Sequence, residues 1–287
     1  MDWPALARRI DSRARVVACR ALTGGVSATV TELHLDVAGT ARRVVVRQLG
    51  PAGVETARME FALLGALWHA GVRVPEPVHL AADQGCVVIG FVEGTTEVAA
   101  VDVAGALEQM AAFLAHLHGL DPAPVSTVAG LMPREDPIRA LVPLLPPHLA
   151  HLAPRLSLRS GNAPAVLHGD FWPGNVLWRH GRIAAVVDWE DAAVGDPVSD
   201  LAGSRLEVLW RYGPEAMASY TDAYLQRRRL DLADLPLWEL KVALAASAAM
   251  EHWGLEPQAE ARMRRLAEAH GERAAARLVD VTRGDLP

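Results

Sequence analysis

Apolar and polar residues alternate in short runs through the first third of the chain. Residues 15–50 contain three such runs joined by glycine-containing turns, and two more follow before residue 94. Period-two alternation predicts half-buried strands, and glycine turns between consecutive runs favour an antiparallel meander. Within this third, apolar residues recur at helical spacing in residues 54–71, where Gly71 is the predicted stop, and a short helix is predicted at residues 2–11.

Beyond residue 101 the spacing of apolar positions becomes helical. Residues 102–120 carry one apolar face, and residues 121–164 are proline-rich, which predicts irregular structure with short helical pieces. A strand-rich patch around residues 165–187 follows. The remaining predicted helices cover residues 198–212, 214–227, 235–252, 258–270 and 272–282, the last two separated at Gly271.

This change of pattern predicts an α+β protein with two parts. We place a β-rich N-terminal lobe at residues 1–94 and a mainly helical C-terminal lobe at residues 95–287. A chain of 287 residues with 51% hydrophobic and 22% charged residues is long enough and apolar enough to bury such cores.

Charge and cysteine content narrow the class of protein. The net charge of −6 argues against nucleic acid as a partner and suits a small-molecule ligand, including a cationic one. The longest apolar helical stretch is too short to span a bilayer, so no membrane association is expected. Two cysteines without metal spacing and an N-terminus without a signal core favour a reducing, cytoplasmic location. The oligomeric state stays open.

Oxygen-bearing side chains concentrate between residues 165 and 197. A strand ends in "LHGD", Pro173-Gly174 makes a turn, and two further strands form a hairpin that returns Asp188 to the side of Asn175. Carboxylate and amide oxygens suit Mg²⁺, which takes few protein ligands and shares the rest with phosphates and water. Asp170 is then left to orient or deprotonate a hydroxyl, a division of labour that phosphoryl transfer requires.

The segments "HGDFWPGN" and "VVDWEDAAVGDPVSDLA" resemble the aminoglycoside phosphotransferase family. The resemblance implies a protein-kinase-like two-lobe fold, in which H-R-D-x-x-x-x-N and D-F-G are the corresponding kinase motifs. By that resemblance Asp170 is the catalytic base, and Asn175 and Asp188 bind magnesium. His168 is a structural hydrogen-bonding residue, and Asp200 braces the catalytic loop.

A kinase-like N-terminal lobe also needs a phosphate-binding turn and a cation. Gly24, Gly25 and Ser27 lie in the turn between the first two strands, although Gly-Gly also makes ordinary hairpins. Lys241 is the only lysine of the chain, so Arg47 is the candidate in the third strand where kinases carry lysine. This departs from the family pattern, because arginine is longer and bidentate.

A kinase-like lobe also needs an acidic residue on the helix after the third strand and a hinge that connects the two lobes. Glu60 is the candidate partner of the Arg47 charge, with Glu55 as the alternative. The apolar run "CVVIGFVEG" is the candidate hinge. By resemblance, the backbones of Gly90 and Val92 contact the nucleotide base and Ile89 lines its pocket.

The acceptor is the least determined part of the site. Acidic and aromatic residues near the motifs would suit an amine-bearing acceptor through ion pairing and cation–π contact. For Glu251 and Trp253, the alternative interpretations, a solvated helix end and a packing residue respectively, are slightly favoured over contact with the acceptor. The candidates are Trp172, Glu190, Asp191, Glu251 and Trp253.

These residues predict an ATP-dependent O-phosphotransferase, with Mg²⁺ as cofactor and a small-molecule hydroxyl as acceptor. ATP is the expected donor, and GTP stays open. An aminoglycoside or related antibiotic is the first expectation for the acceptor. A metabolic kinase acting on choline, homoserine or a sugar derivative is the alternative, and a non-catalytic nucleotide-binding module is a third.

Overall fold

A computed structural model describes residues 1–22, 28–50, 53–98 and 102–284. Gly24, Gly25 and Ser27, predicted to contact phosphate, lie outside the described residues. The chain divides into two compact units, each discontinuous in sequence. The β-rich unit comprises Met1–Glu97, Pro122–Met132 and Gly174–Asp191. The helical unit comprises Val98–Asp121, Pro133–Pro173 and Ala192–Pro287.

A five-stranded antiparallel sheet forms the centre of the β-rich unit, in the order β1-β2-β3-β5-β4. The predicted strands are therefore confirmed, and β1, β2 and β3 form the expected meander. The strands are β1 (Ala14–Leu22), β2 (Thr29–Val37), β3 (Thr40–Gln48), β4 (Pro77–Ala81) and β5 (Cys86–Gly90).

Helices and a hairpin complete this unit. Leu6 from α1 joins Leu33, Val44 and Val88 of the sheet in one buried cluster, while α2 packs on β4 and β5. A methyl-rich cluster of this kind stabilises the unit by removing apolar surface from water. The helices are α1 (Trp3–Ile10), α2 (Val54–His69) and α4 (Ala123–Ser126), and the hairpin strands are β7 (Val176–Arg179) and β8 (Arg182–Val186).

The helical unit is built around α6, which packs against α7 and α8, while α3 packs on α7 and α9 on α8. Two short strands pair antiparallel within it and support the loop after Leu167. The strands are β6 (Ala165–Leu167) and β9 (Ala193–Gly195). The helices are α3 (Val103–Leu117), α5 (Pro137–Leu141), α6 (Val198–Tyr212), α7 (Pro214–Arg227), α8 (Leu235–Ala249) and α9 (Pro257–Gly284).

One helix prediction is wrong. Residues 258–270 and 272–282 form a single helix, α9, which continues through Gly271. A Cβ atom at Gly271 would lie 3.3 Å from the Cβ of Ala243 on α8, tighter than an ordinary contact. The glycine thus serves the close approach of two helices, a tertiary cause that the chain's own periodicity does not reveal.

None of the described helices combines the length and the apolar character that crossing a membrane requires.

Candidate active site

Arg47 and Glu60 form a buried ion pair in the β-rich unit. Arg47 projects from β3 and donates through Nη1 to Glu60 Oε1 at 2.6 Å. Glu60 lies on the buried face of α2 and is 1% exposed. The alternative, Glu55, has an exposed side chain and lies 3.8 Å from Arg58. The structure therefore selects Glu60 as the partner of Arg47.

The same guanidinium reaches two more carboxylates. Arg47 Nη2 lies 3.2 Å from Asp188 Oδ1 and 3.8 Å from Glu190 Oε2. Burial raises the pKa of Glu60, and the charges of Asp188 and Glu190 raise it further, against the lowering effect of Arg47. Glu60 Oε2 is buried with no hydrogen-bond partner among the described residues. One cation thus faces three carboxylates, an arrangement that attracts additional positive charge.

The β7–β8 hairpin brings Asn175 and Asp188 to the same end, as predicted from its turns. Val176 pairs with Val186, and the Val187 N–H donates to the Asn175 carbonyl at 2.9 Å. Asn175 is buried, whereas the Asp188 side chain is 40% exposed. Asp188 adopts φ 66°, an uncommon left-handed conformation that Asp tolerates better than most residues.

The donor set of this hairpin fits magnesium. Asn175 and Asp188 supply an amide oxygen and a carboxylate, and Mg²⁺ needs only one or two protein ligands when phosphates and water complete its shell. Across the described ranges, no group of three or more His, Cys, Asp or Glu side chains is arranged to hold a metal. The orphaned Glu60 Oε2 and the surplus negative charge beside Asp188 are consistent with a cation at this end of the hairpin.

In the helical unit, the loop after β6 is held by Asp200. The Asp200 carboxylate accepts the His168 N–H at 2.7 Å through Oδ2 and the Gly169 N–H at 3.0 Å through Oδ1. Asp170 follows with an exposed side chain, and its N–H donates to His168 Nδ1 at 3.2 Å. His168 Nδ1 is therefore an acceptor. His168 and Asp200 occupy the supporting positions expected of them.

Asp200 is buried in the first turn of α6, and His118 contacts its carboxylate. His118 Nε2 lies 3.3 Å from Asp200 Oδ2, and His118 Nδ1 lies 2.8 Å from the Tyr224 hydroxyl. Burial alone would raise the pKa of Asp200, but the hydrogen bond from His118 and the nearby Arg134 charge hold it below the usual value. The carboxylate thus stays ionised and keeps accepting the two loop N–H groups.

Sequence reasoning missed several residues that contact this loop or the Asp200 carboxylate that holds it. His118 and Arg134 come from distant segments without a motif. Ser204 Oγ donates to the Phe171 carbonyl at 2.7 Å. Asp200, Ser204 and Glu207 are spaced i, i+4, i+7 on α6, a periodicity that could have identified them as one face.

Glu207 is the second ionisable group of that face. Burial raises its pKa to about 8, with the Asp170 charge as the next cause and Arg211 opposing. Two carboxyl groups in one environment cannot both ionise freely. At neutral pH Glu207 therefore favours its protonated form.

The predicted base-binding strand lies where expected along β5. Ile89 is buried, and the Gly90 N–H donates to the Glu76 carbonyl at 2.8 Å. Phe91 donates to the Arg43 carbonyl at 3.2 Å. Val92 makes no backbone hydrogen bond with another described residue. The Gly90 N–H is thus engaged within the β-rich unit, and the contact of the Gly90 and Val92 backbones with the nucleotide base stays a prediction.

The acceptor candidates do not form one group. Glu190 lies beside Arg47 and Asp191 is exposed, both in the β-rich unit. Trp172 is partly buried in the loop after Phe171, in the helical unit. The same unit holds Glu251, exposed and 3.4 Å from His252, and Trp253, whose ring meets that of Trp210 edge-on at 6.0 Å between centroids. Their predicted role in acceptor binding stays a prediction.

A family model described as the phosphotransferase enzyme family matches residues 18–238, more than half of the chain. The chain belongs to the phosphotransferase enzyme family. The resemblance to aminoglycoside phosphotransferases that the HGD and DWE segments carry is thereby confirmed.

Curated relatives match this family member over short stretches. Acyl-CoA dehydrogenase family member 11 of Rattus norvegicus is 31% identical over 103 residues, which are 30% of this chain and 13% of that protein. Hygromycin-B 4-O-kinase of Escherichia coli is 35% identical over 91 residues, which are 31% of this chain and 26% of that protein. The chain therefore covers well under two thirds of either relative.

Several solved structures share the fold over nearly the whole chain. Macrolide 2'-phosphotransferase from Brachybacterium faecium has a TM-score of 0.66 at 22% identity, covering 96% of this chain and 97% of its own. Choline kinase from Streptococcus pneumoniae has a TM-score of 0.64 at 17% identity, covering 94% and 98%. An aminoglycoside phosphotransferase solved with ADP and hygromycin B has a TM-score of 0.58 at 16% identity, covering 100% of both. The kinase-like fold predicted from the motifs is confirmed.

Proposed function

We propose that this protein is an ATP-dependent O-phosphotransferase that transfers the γ-phosphoryl group to a hydroxyl of a small molecule. The loop at Asp170 is the observation that carries the proposal. Its backbone is fixed at His168 and Gly169 by the buried Asp200, whereas the Asp170 carboxylate itself is exposed. A carboxylate held in place but left open to solvent is suited to meet an incoming hydroxyl.

Asp170 is assigned the general base. It accepts the proton of the acceptor hydroxyl as that oxygen bonds to the γ-phosphorus, and the bond from phosphorus to the β–γ bridging oxygen breaks. ADP leaves with the electron pair of that bond. Glu207, whose pKa burial raises to about 8, favours its protonated form and so adds little negative charge beside Asp170.

The nucleotide is assigned to residues of the β-rich unit. Asn175 and Asp188 would hold Mg²⁺, which when bound neutralises phosphate charge. Arg47 binds phosphate oxygens while Glu60 orients it, and the Val92 backbone with Ile89 contacts the base. Gly24, Gly25 and Ser27 keep their predicted role at the phosphates. ATP is the proposed donor, and GTP is the competing one.

The acceptor is proposed to be an aminoglycoside or a related antibiotic. The similarity to hygromycin-B 4-O-kinase and to a macrolide 2'-phosphotransferase supports this class. The net charge of −6 favours a cationic acceptor. Similarity in fold to a choline kinase supports the second candidate, a metabolic kinase acting on a small hydroxyl compound. A cytoplasmic location, where ATP is available, fits the free Cys19 and Cys86.

A panel assay tests this function. Purified protein with MgATP is incubated with hygromycin B, viomycin, a macrolide, choline, homoserine and a sugar, and ADP release and phosphorylated product are both measured. Turnover of an antibiotic supports the first candidate, and turnover of choline or homoserine alone supports the second. MgATP binding without ADP release above the protein-free rate for any compound would instead indicate a non-catalytic module.

A further inference from the structure

We infer that Arg134 is a positioning residue for phosphoryl transfer, because its guanidinium fixes the peptide that carries Asp170. This inference rests on the proposed function of Asp170. Arg134 lies outside the HGD and DWE segments, in the irregular chain that precedes α5. Its contacts nevertheless converge on the loop that presents the base.

The peptide between Gly169 and Asp170 is held at both of its polar groups. Arg134 Nη2 donates to the Gly169 carbonyl at 3.1 Å. The Asp170 N–H of the same peptide donates to His168 Nδ1 at 3.2 Å. A peptide plane anchored on its carbonyl side and on its N–H side cannot rotate without losing a hydrogen bond.

Gly169 makes this anchoring necessary. Its φ of 88° lies in the left-handed region, which glycine reaches at no steric cost. The same freedom lets the peptide before Asp170 rotate, because no Cβ at Gly169 opposes the movement. Such a rotation would swing the Asp170 carboxylate, so the orientation of the base depends on hydrogen bonds and not on sterics.

Arg134 is itself mounted on the small sheet that ends at this loop. Its N–H donates to the Val194 carbonyl of β9 at 2.9 Å, and a Cβ at Gly195 would lie 2.5 Å from the Arg134 Cβ. Strand β9 pairs with β6, whose last residue, Leu167, immediately precedes His168. The Arg134 guanidinium and the loop that carries Asp170 are therefore both attached to the β6–β9 strand pair.

The chemistry of the guanidinium matches this task. Arg134 Nη2 also lies 3.9 Å from Asp200 Oδ1, the atom that accepts the Gly169 N–H. A planar guanidinium can hold a carbonyl and a carboxylate at once with a fixed geometry. A lysine ammonium is a compact point charge and would favour one of them. The side chain is 22% exposed, so a small cation from solvent can reach the position.

The test compares Arg134→Ala and Arg134→Lys with the wild type, using MgATP and the panel acceptor with the highest turnover. Because small misplacements of catalytic groups cost about 10²-fold, Arg134→Ala is expected to lower kcat by about that factor. KM for MgATP and the thermal shift caused by MgATP should stay unchanged. Millimolar guanidinium chloride should restore part of the kcat of Arg134→Ala, and Arg134→Lys should fall between the two.

Arg139→Ala is the matched control, since Arg139 is an exposed arginine five positions away. It should keep the wild-type kcat and gain nothing from guanidinium. Wild-type kcat in Arg134→Ala would overturn the inference, as would a kcat loss that guanidinium leaves unchanged. If Arg134→Ala fails to fold, the kcat of Arg134→Lys is the test. A wild-type kcat in Arg134→Lys would also overturn the inference. If the wild-type protein phosphorylates no acceptor of the panel, the proposed function fails, and the inference about Arg134 fails with it.

Discussion

The Arg47 guanidinium lies 2.6 Å from the Glu60 carboxylate and 3.2 Å from that of Asp188. One strand, one helix and the β7–β8 hairpin therefore share a single cation. Glu60 is nearly inaccessible to solvent, so it depends on this contact. Arginine here keeps the pairing that a kinase lysine would make, and its second nitrogen adds the contact with Asp188.

Arg47→Ala should weaken MgATP binding by about tenfold or more, because a charge-assisted hydrogen bond to phosphate is worth about 1.5–3 kcal/mol. It should also lower the free energy of unfolding by about 3–5 kcal/mol, since Glu60 loses the cation that pairs with it among the described residues. Calorimetric titration with MgATP and urea unfolding measure the two effects. Arg58→Ala, on the exposed side of α2, is the control. Unchanged nucleotide affinity would place the phosphate contact elsewhere.

Asp188→Ala should remove the magnesium dependence of nucleotide binding. Asp188→Asn should retain part of it, because Asn tolerates the left-handed backbone and keeps one oxygen donor. The measurement is the thermal shift caused by ATP with magnesium against the shift with a chelator. Asp191→Ala, an exposed neighbour, should behave as the wild type. An Asp188→Ala variant that still needs magnesium for its thermal shift would rule out this ligand.

Glu207→Gln should change the pH dependence of stability. The pKa of Glu207 is raised from 4.5 to about 8 in the folded protein, so folding favours the protonated form. The wild type should therefore lose stability relative to Glu207→Gln as pH rises from about 4.5 to about 8, and the difference should level off above that. Thermal midpoints between pH 5 and 9 test this, with the exposed Glu215→Gln as control. Parallel profiles for Glu207→Gln and wild type would refute the raised pKa.

Local pattern predicted much of this fold. The alternation of apolar and polar residues predicted the strands of the meander. The helical spacing of apolar residues around Leu63 predicted α2 and its buried face. The turn at residues 179–181 predicted the hairpin that brings Asp188 alongside Asn175. These features succeed because each depends on residues close together in sequence.

Features set by distant contacts could not be read in the same way. In the sequence, Gly271 resembles a helix stop. In the structure it lies within the helix, where it packs closely against Ala243 of the neighbouring helix. His118 and Arg134 have no spacing relative to Asp170 that a motif would reveal, yet both contact the residues that hold its loop. A single sequence carries no record of such long-range contacts, so they emerge only from packing.

Turnover by Asp170→Asn is the decisive measurement of whether Asp170 is the base of a phosphoryl transfer. With the preferred acceptor and MgATP, product formation should fall by about 10²–10⁴-fold, the usual contribution of a general base. The thermal shift caused by MgATP should persist, because Asp170 is not assigned to the nucleotide. Wild-type product formation by a folded, MgATP-binding Asp170→Asn variant would show that Asp170 is not the base.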